Sequence, residues 1–190
     1  MHLKTAVIQL NSRDNPVENL SKVELFLDQA ADMGAEFVSL PEFWSYLGPY
    51  SGFDEAAQTI PGPFIERLQE KARRYHMIVH GGSIVEPHPQ LPGKFYNTTA
   101  IINREGEIAA CYRKIHLFDV NLANGEKHYE SDRIVPGNEV VQVMARLRVS
   151  GWFELEVGRP VEEPVLDLRR LGRVEGLGRA SGAERPAEHE

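Results

Sequence analysis

The sequence predicts an α/β fold, because strand-like and helix-like segments alternate along its first half. Short apolar runs predict strands at residues 3–10, 37–40 and 77–85, and Gly81-Gly82 interrupts the third of them. The first of these runs is expected to be buried. Apolar residues that recur at helical spacing predict a helix in each intervening segment. The order strand–helix–strand–helix–strand is typical of a sheet whose strands are joined by helices that cover it.

Local signals at the segment ends support both helices. Asn15 followed by Pro16 predicts an N-cap and a first helical position, and Gly34 stands where a C-terminal cap belongs. The second helix is predicted over about residues 63–75, and the residues that form its apolar face are Ile65, Leu68 and Ala72.

A hairpin is predicted after the third strand, and it makes the sheet mixed. Its strands cover residues 97–102 and 108–112, and the turn Arg104-Glu105-Gly106 joins them. Residues 116–137 show no clear periodicity, so they are predicted to form one long loop of the kind that often carries function.

Composition excludes several classes of protein. The 190 residues, 42% of them hydrophobic, suffice for one domain with a core. A net charge of −7 disfavours a nucleic-acid partner, because phosphate binding needs a clustered basic face. No apolar run reaches about 18 residues and no signal peptide is recognisable, so no membrane partner is predicted. The single cysteine, Cys111, excludes an intrachain disulfide, and these features together predict a cytoplasmic protein.

The composition changes after about residue 145. Residues 146–190 contain eight Arg and no Lys, Ile, Asn, Thr, Tyr or Gln, whereas residues 1–145 contain seven Arg and six Lys. Gly and Pro are expected to interrupt every candidate element in this tail, so no helix or strand long enough to replace the missing layers is predicted there. We therefore expect a domain at residues 1–145 and an Arg/Gly-rich tail at residues 146–190, with disorder in its last part, residues 179–190.

Glu42 is the first candidate for a catalytic residue. It directly follows the second predicted strand, and ligand sites in open α/β sheets form beyond the carboxyl ends of strands. The neighbouring aromatic side chains could desolvate its carboxylate and raise its pKa toward that of a general base; they are Phe43, Trp44 and Tyr46. A solvated glutamate after a strand-ending proline is the alternative interpretation.

Lys114 and Glu130 are the other two candidates. Lys114 follows the strand at residues 108–112, where an ammonium group can stabilise a developing oxyanion. Glu130, in the predicted loop, could orient that lysine. The alternative for Lys114 is a surface basic pair that flanks the strand. The alternative for Glu130 is an ordinary loop carboxylate in an acidic chain.

Cys111 and the histidines give weaker signals. A cysteine in the middle of a strand is more often a small core residue than a nucleophile, because catalytic thiolates prefer helix N-termini or electropositive turns. The seven histidines form no pair at metal-ligand spacing, so neither a metal nor a nucleotide cofactor is predicted.

In their order along the chain, these motifs resemble those of the nitrilase superfamily of carbon–nitrogen hydrolases. Leu40-Pro41-Glu42 resembles its glutamate motif, and Tyr112-Arg113-Lys114-Ile115-His116-Leu117-Phe118-Asp119 resembles its more specific lysine motif. The resemblance covers about residues 3–141 and is strongest to the branch that contains ω-amidase and deaminated-glutathione amidase. Other segments in the family's order and spacing are Gly81-Gly82-Ser83, residues 97–102 and residues 130–137.

This resemblance implies the N-terminal part of a four-layer α-β-β-α sandwich. It also implies a Glu–Lys–Cys mechanism on a small amide or nitrile, without a metal or cofactor. Glu42 would be the general base, Lys114 would stabilise the tetrahedral intermediate, and Glu130 would be an additional active-site carboxylate. The family's nucleophile is expected at a strand-to-helix elbow around residues 151–156, but no cysteine follows Cys111. An incomplete fold and an inactive chain are therefore expected.

Two interpretations of the divergent tail stay open. The tail can be the product of a frameshift or truncation, since Arg- and Gly-rich composition is typical of GC-rich coding sequence read out of frame, or it can be an authentic C-terminus. For the chain as a whole, the alternatives to a hydrolase are a non-catalytic half-domain that pairs with a partner through an open sheet edge and a frameshifted product without function. An uncovered apolar face would make the chain a homo-oligomer or prone to aggregation.

Overall fold

A computed structural model describes residues 3–146 and 152–157, which form a mixed α/β structure. The helices are α1 (Pro16–Asp32), α2 (Phe53–Ala56) and α3 (Pro63–Tyr75). The strands of the main sheet are β1 (Thr5–Val7), β2 (Phe37–Ser39), β3 (Ile78–His80), β4 (Ile84–Pro87), β5 (Phe95–Ile102) and β6 (Ile108–Arg113). Two separate hairpins follow, formed by β7 (Asp119–Asn121) with β8 (Lys127–Tyr129) and by β9 (Val141–Arg146) with β10 (Trp152–Val157).

The main sheet is mixed, as the sequence predicts. β1, β2 and β3 are parallel neighbours, whereas β3, β4 and β6 all pair with β5 in antiparallel register. Thr98 pairs with Ile84 of β4 and with Arg113 of β6, so these two strands occupy opposite edges of β5. The Gly81-Gly82 interruption is confirmed, because it divides the third predicted strand into β3 and β4.

One layer of helices covers one face of this sheet. The predicted start of α1 is confirmed, since the Asn15 side chain accepts a hydrogen bond from Glu18 N at 3.1 Å and Pro16 opens the helix. The predicted bounds of α3 are confirmed as well. The core between the helices and the sheet contains, among others, Val23, Leu27, Ile65, Leu68, Val38, Val79, Ile84 and Ile102. The described residues thus form one α layer and one β layer of the expected sandwich.

The opposite face of the sheet is apolar and partly covered by β9. On this face, Phe37, Ile78 and Ile101 form a buried cluster together with Val143 of β9. β10 pairs with β9 in antiparallel register, which corrects the expectation that Gly and Pro interrupt every candidate element of the tail. The strand depends on pairing with β9, and such pairing leaves little signal in a short segment. The predicted disorder of residues 179–190 lies outside the described residues.

Two further expectations were wrong in detail. The first strand is shorter than predicted and is not buried, because β1 ends the sheet and its Val7 is 80% exposed. The predicted long loop at residues 116–137 contains the hairpin of β7 and β8, which turns at Gly125 with a φ of 89°. Gly125 N donates to Leu122 O at 3.0 Å and closes that turn. Among the described residues, no helix is long and apolar enough to cross a membrane.

Candidate active site

The three candidate residues, which are far apart in sequence, meet at one edge of the sheet. The ammonium nitrogen of Lys114 lies 2.9 Å from Glu42 Oε1 and 2.9 Å from Glu130 Oε2. Glu42 follows β2, Lys114 follows β6, and Glu130 opens a 3-10 turn after β8. The structure therefore brings all three sequence-predicted residues into one cluster, which has two carboxylates and one ammonium group.

The turn that carries Glu42 is held by the segment between β3 and β4. Ser83 N donates to Pro41 O at 3.1 Å, and Phe43 N donates to Ser83 Oγ at 3.0 Å. Phe43 adopts a left-handed backbone conformation with a φ of 49°, which costs free energy in a non-glycine residue. A strained residue directly after the candidate base indicates that the surrounding contacts fix the position of Glu42.

Gly82 allows this close approach between the two segments. Its φ is 55°, and a Cβ at this position would collide with the carbonyl oxygen of Pro41. Trp44 reinforces the contact, since its indole nitrogen donates to Gly81 O at 2.7 Å. Only glycine therefore fits here without moving the Pro41–Glu42 peptide.

Lys114 is fixed through its own backbone. Lys114 N donates to Asn97 O at 2.9 Å, which extends the pairing of β5 and β6 by one residue. Its carbonyl oxygen accepts a hydrogen bond from Gly137 N at 2.9 Å. The side chain is only 25% exposed, so the charge stands in partly desolvated surroundings.

Glu130 is a buried carboxylate whose two oxygens are both occupied. The residue is 3% exposed. Its Oε2 accepts hydrogen bonds from Lys114 and from Phe118 N, the latter at 2.7 Å, and its Oε1 accepts from Asn97 at 3.1 Å. Ile134, which is 1% exposed, packs in the adjacent apolar cluster and donates its backbone N–H to Glu130 O at 2.9 Å. Glu130 is thus an anchor for the lysine.

Asn97 is a site residue that our sequence analysis did not single out. Its Nδ2 donates to Glu42 Oε1 at 2.7 Å and to Glu130 Oε1 at 3.1 Å, so one amide group joins the two carboxylates. The available signal was an asparagine inside an otherwise apolar and threonine-rich strand. Asparagine is depleted in strands, and a buried polar group needs a partner.

The pKa of Glu42 is lower than its usual value, which corrects the expectation of a raised one. Partial burial raises this pKa, but the hydrogen bonds from Lys114 and Asn97 and the charge of Lys114 outweigh that effect. The aromatic neighbours contribute elsewhere. Trp44 stacks on Phe64 in the helix-side core, and the Tyr46 hydroxyl donates to Pro49 O. Trp44 and Tyr46 therefore make these contacts outside the charged cluster.

Glu42 keeps one oxygen available. Its Oε1 accepts from both Lys114 and Asn97, whereas no hydrogen bond from any described residue reaches Oε2. The side chain is 57% exposed, in contrast to the buried Glu130. The pKa of Lys114 is raised, because hydrogen bonds and charge from Glu130 and Glu42 outweigh the lowering effect of burial. The ammonium group therefore stays charged while Glu42 Oε2 can accept a proton.

A cavity of about 170 Å³ lies beside this cluster. His80 contributes to its wall and lies 3.0 Å from Ser39 Oγ through Nδ1. Burial lowers the pKa of His80, so its imidazole is neutral at neutral pH. The residues that line the cavity are Leu40, Glu42, His80, Gly82, Ser83, Asn97, Thr99, Tyr112 and Lys114.

Cys111 lies on the other face of β6, and it is exposed where we expected a small core residue. Its neighbour Tyr112 lines the cavity, and adjacent residues of a strand point to opposite faces. The register agrees, because Cys111 pairs with Ala100 of the helix-side core and Tyr112 pairs with cavity-lining Thr99. Partial burial and the charge of Glu86 raise the pKa of the thiol despite nearby Arg113.

The segment where the family's nucleophile was expected forms a strand. β10 runs over Trp152–Val157 and pairs along its whole length with β9, so these residues form no strand-to-helix elbow. The segment contains no cysteine. Within residues 3–146 and 152–157, no three His, Cys, Asp or Glu residues are arranged to hold a metal ion.

The family match and similar curated relatives of this chain agree with each other. Residues 4–153 match the family described as carbon-nitrogen hydrolase. Nitrilase homolog 2 of Dictyostelium discoideum is 38% identical over 135 residues, which are 71% of this chain and 41% of that protein. Omega-amidase NIT2 of Homo sapiens is 37% identical over 137 residues, and deaminated glutathione amidase of Synechocystis sp. is 37% identical over 134. These alignments cover 71% and 70% of this chain, and 48% and 49% of the two relatives.

Solved structures show the same fold. Nit3 of Saccharomyces cerevisiae, a member of branch 10 of the nitrilase superfamily, superposes with a TM-score of 0.67 at 24% identity. The match covers 82% of this chain and 54% of Nit3. The NitFhit protein of C. elegans superposes with a TM-score of 0.66 at 25% identity, over 74% of this chain and 35% of that one. The chain thus spans about half the length of the curated relatives it matches.

Proposed function

Because this chain belongs to the carbon–nitrogen hydrolase family, we propose that Glu42, Lys114 and Glu130 form the acid–base and electrostatic part of an amide hydrolase site. The observation that carries this proposal is the position of Lys114 Nζ, 2.9 Å from both carboxylates at the mouth of a cavity. A buried cluster of charges beside a cavity is typical of a functional site.

The two carboxylates have different roles in this proposal. Glu42 is the general base, because its Oε2 accepts no hydrogen bond from a described residue and the residue lines the cavity. Glu130 differs, since three hydrogen bonds occupy both of its oxygens. It holds Lys114 in place instead.

Lys114 supplies the positive charge that catalysis of amide hydrolysis needs. Attack on a carbonyl carbon places negative charge on the oxygen, and a fixed ammonium group stabilises that charge. Two of the three donor positions of Lys114 are directed to Glu42 and Glu130. One position is therefore left for the oxygen of a substrate.

The nucleophile of a complete Glu–Lys–Cys mechanism is lacking in this chain. In that mechanism the glutamate takes the thiol proton, the thiolate attacks the amide carbon, the amine leaves with a proton, and water hydrolyses the thioester. Cys111 cannot take this part, because it lies on the opposite face of β6 and its pKa is raised. We propose that the chain binds a small amide and does not turn it over.

A small ω-amide of the glutamine type is the proposed ligand. Two relatives named above are an omega-amidase and a deaminated glutathione amidase. The cavity of about 170 Å³ suits a small molecule. The acidic chain is proposed to act in the cytoplasm, without a nucleic-acid or membrane partner and without a cofactor.

Ligand binding tests the proposal independently of turnover. A small carboxamide titrated into ¹⁵N-labelled protein should shift the backbone signals of Asn97 and Lys114 in a saturable way. Lys114→Met should abolish these shifts, whereas Lys22→Met, which removes a half-buried lysine that pairs with Glu18, should preserve them. Equal shifts in the wild type and the Lys114 variant would refute an amide site at this cluster.

A second candidate function is a non-catalytic half-domain that pairs with a partner or another copy. The observation in its favour is the edge strand β1, which pairs only with β2 among the described residues. Its Val7 is 80% exposed, and nearby Met33 is 65% exposed. An exposed strand edge is a template for pairing. We expect an oligomer in sedimentation experiments, and Val7→Lys should convert it to a monomer. A monomeric wild-type chain would refute this candidate.

The composition of the tail supports a third proposal, that residues after about 145 are read out of frame. The tail lacks six residue types that the preceding domain uses freely. The nucleotide sequence around codons 140–160 should then encode a cysteine at a strand–helix junction in another frame. Immediate stop codons in both other frames would refute the proposal. Residues 146–190 would then be an authentic C-terminal tail.

A further inference from the structure

Asn97 occupies the centre of the charged cluster without carrying a charge. It is 3% exposed, and its two amide hydrogens are directed to Glu42 Oε1 at 2.7 Å and Glu130 Oε1 at 3.1 Å. Its backbone carbonyl oxygen accepts the backbone N–H of Lys114 at 2.9 Å. One residue therefore contacts all three members of the cluster.

The charge balance of the cluster explains why a donor is needed at this position. Two carboxylates and one ammonium group leave a net charge of −1, and Glu130 is almost fully buried. Carboxylates only accept hydrogen bonds, so an acceptor placed between them would be repelled by both. An amide nitrogen supplies two donors without adding a positive charge.

The contacts also form a closed ring. Lys114 bonds Glu42 Oε1 and Glu130 Oε2, and Asn97 bonds Glu42 Oε1 and Glu130 Oε1. Because both donors converge on Glu42 Oε1, the carboxylate plane is fixed and Oε2 is the atom left for chemistry. Glu42 is more than half exposed and would otherwise sample several rotamers.

We propose that Asn97 is a positioning residue, whose side-chain amide holds Glu42 and Glu130 on Lys114 and directs Glu42 Oε2 to the cavity. This inference rests on the proposed function, since it assigns Asn97 to the same site. Its test uses stability and titration, which do not require turnover. Failure of the inference is therefore distinguishable from failure of the proposed amide site.

Asn97→Asp is the decisive variant, because aspartate has nearly the same shape but replaces the double donor with an acceptor. At pH 7 we expect the Tm to fall by about 5 °C or more, since three carboxylates would then share one ammonium group. The loss should shrink as the pH falls below about 4, where carboxylates take up protons. The Glu42 carboxyl signal, followed by ¹³C NMR, should titrate at a higher pH than in the wild type.

Two further variants keep the result interpretable. Asn97→Asp combined with Glu130→Gln restores a donor–acceptor pair and a net charge of −1, so it should recover part of the lost Tm. Thr98→Val is the control, because Thr98 is next to Asn97 on β5 but lies outside the cluster. The variant removes a buried hydrogen bond to Glu86 and should leave the Glu42 titration unchanged. If Asn97→Asp matches the wild type in Tm at pH 7 and in the Glu42 titration, or if Thr98→Val shifts the titration equally, the inference is overturned.

Discussion

Cys111 and Tyr112 are adjacent on β6, and they lie on opposite faces of the sheet. Tyr112 lines the cavity beside Lys114, whereas Cys111 lies on the face of Ala100 and Arg113. A thiol that attacked a substrate beside Lys114 would have to pass through the sheet. The only cysteine of the sequence is thus separated from the charges that would activate it.

The first prediction concerns this cysteine. Cys111→Ser should leave amide binding unchanged and should barely affect any hydrolysis that is detected, because the thiol does not face the cavity. Ligand titrations and product assays on both proteins check this. A loss of several orders of magnitude in rate would identify Cys111 as the nucleophile and would contradict its position in the structure.

The second prediction concerns the stability contribution of Lys114. Lys114→Met should lower the free energy of unfolding by about 3 kcal/mol, because it leaves the buried Glu130 without its countercharge. Lys22→Met breaks a surface pair with Glu18 and should cost far less stability, because solvent screens that pair. Urea denaturation of the three proteins at pH 7 measures both differences. Equal losses would show that the cluster is no more than a surface ion pair.

The third prediction concerns pH. The folded-state pKa of Glu42 lies below its ordinary value of 4.5, so its stabilising contribution is present above that pH and is lost as the pH falls through the folded pKa. Glu42→Gln should be less stable than the wild type at pH 7, and the difference should vanish in strong acid. The Tm of both proteins between pH 7 and pH 2 gives the answer. A difference that grows in acid would mean that the pKa is raised.

The fourth prediction concerns the turn below Glu42. Gly82→Ala should cost more than about 2 kcal/mol, because it adds a collision with Pro41 O to the strain of a positive φ. Gly93→Ala is the matched control, since Gly93 has a φ of 72° and a Cβ added there would meet no atom within 4 Å. It should lose only the strain of about 1 kcal/mol. Similar losses in chemical denaturation would contradict a close approach at Gly82.

Local signals predicted the framework of this fold well. The helix starts at Pro16 and Pro63 and the interruption at Gly81-Gly82 depend on residues close in sequence, so the pattern alone places them. The sequence predicted Glu42 and Lys114 as candidates for a related reason. Each follows a strand, and the ends of neighbouring strands meet at one edge of a sheet.

Features that depend on distant contacts were missed. The exposure of Val7 is decided by the position of β1 at the end of the described sheet, and the strand of Trp152–Val157 exists through its pairing with β9. The role of Asn97 depends on the register of β5 against β4 and β6. The lowered pKa of Glu42 depends on Lys114 and Asn97, which are distant from it in sequence.

Turnover of a small ω-amide by the purified chain tests the central claim most directly. The claim is that this chain carries the glutamate and the lysine of a carbon–nitrogen hydrolase site without the thiol that forms the covalent intermediate. Release of ammonia from the amide at pH 7 should equal the background measured with Glu42→Gln and Lys114→Met. Steady turnover by the wild-type chain that disappears in both variants would contradict the claim, because it would show a complete active site.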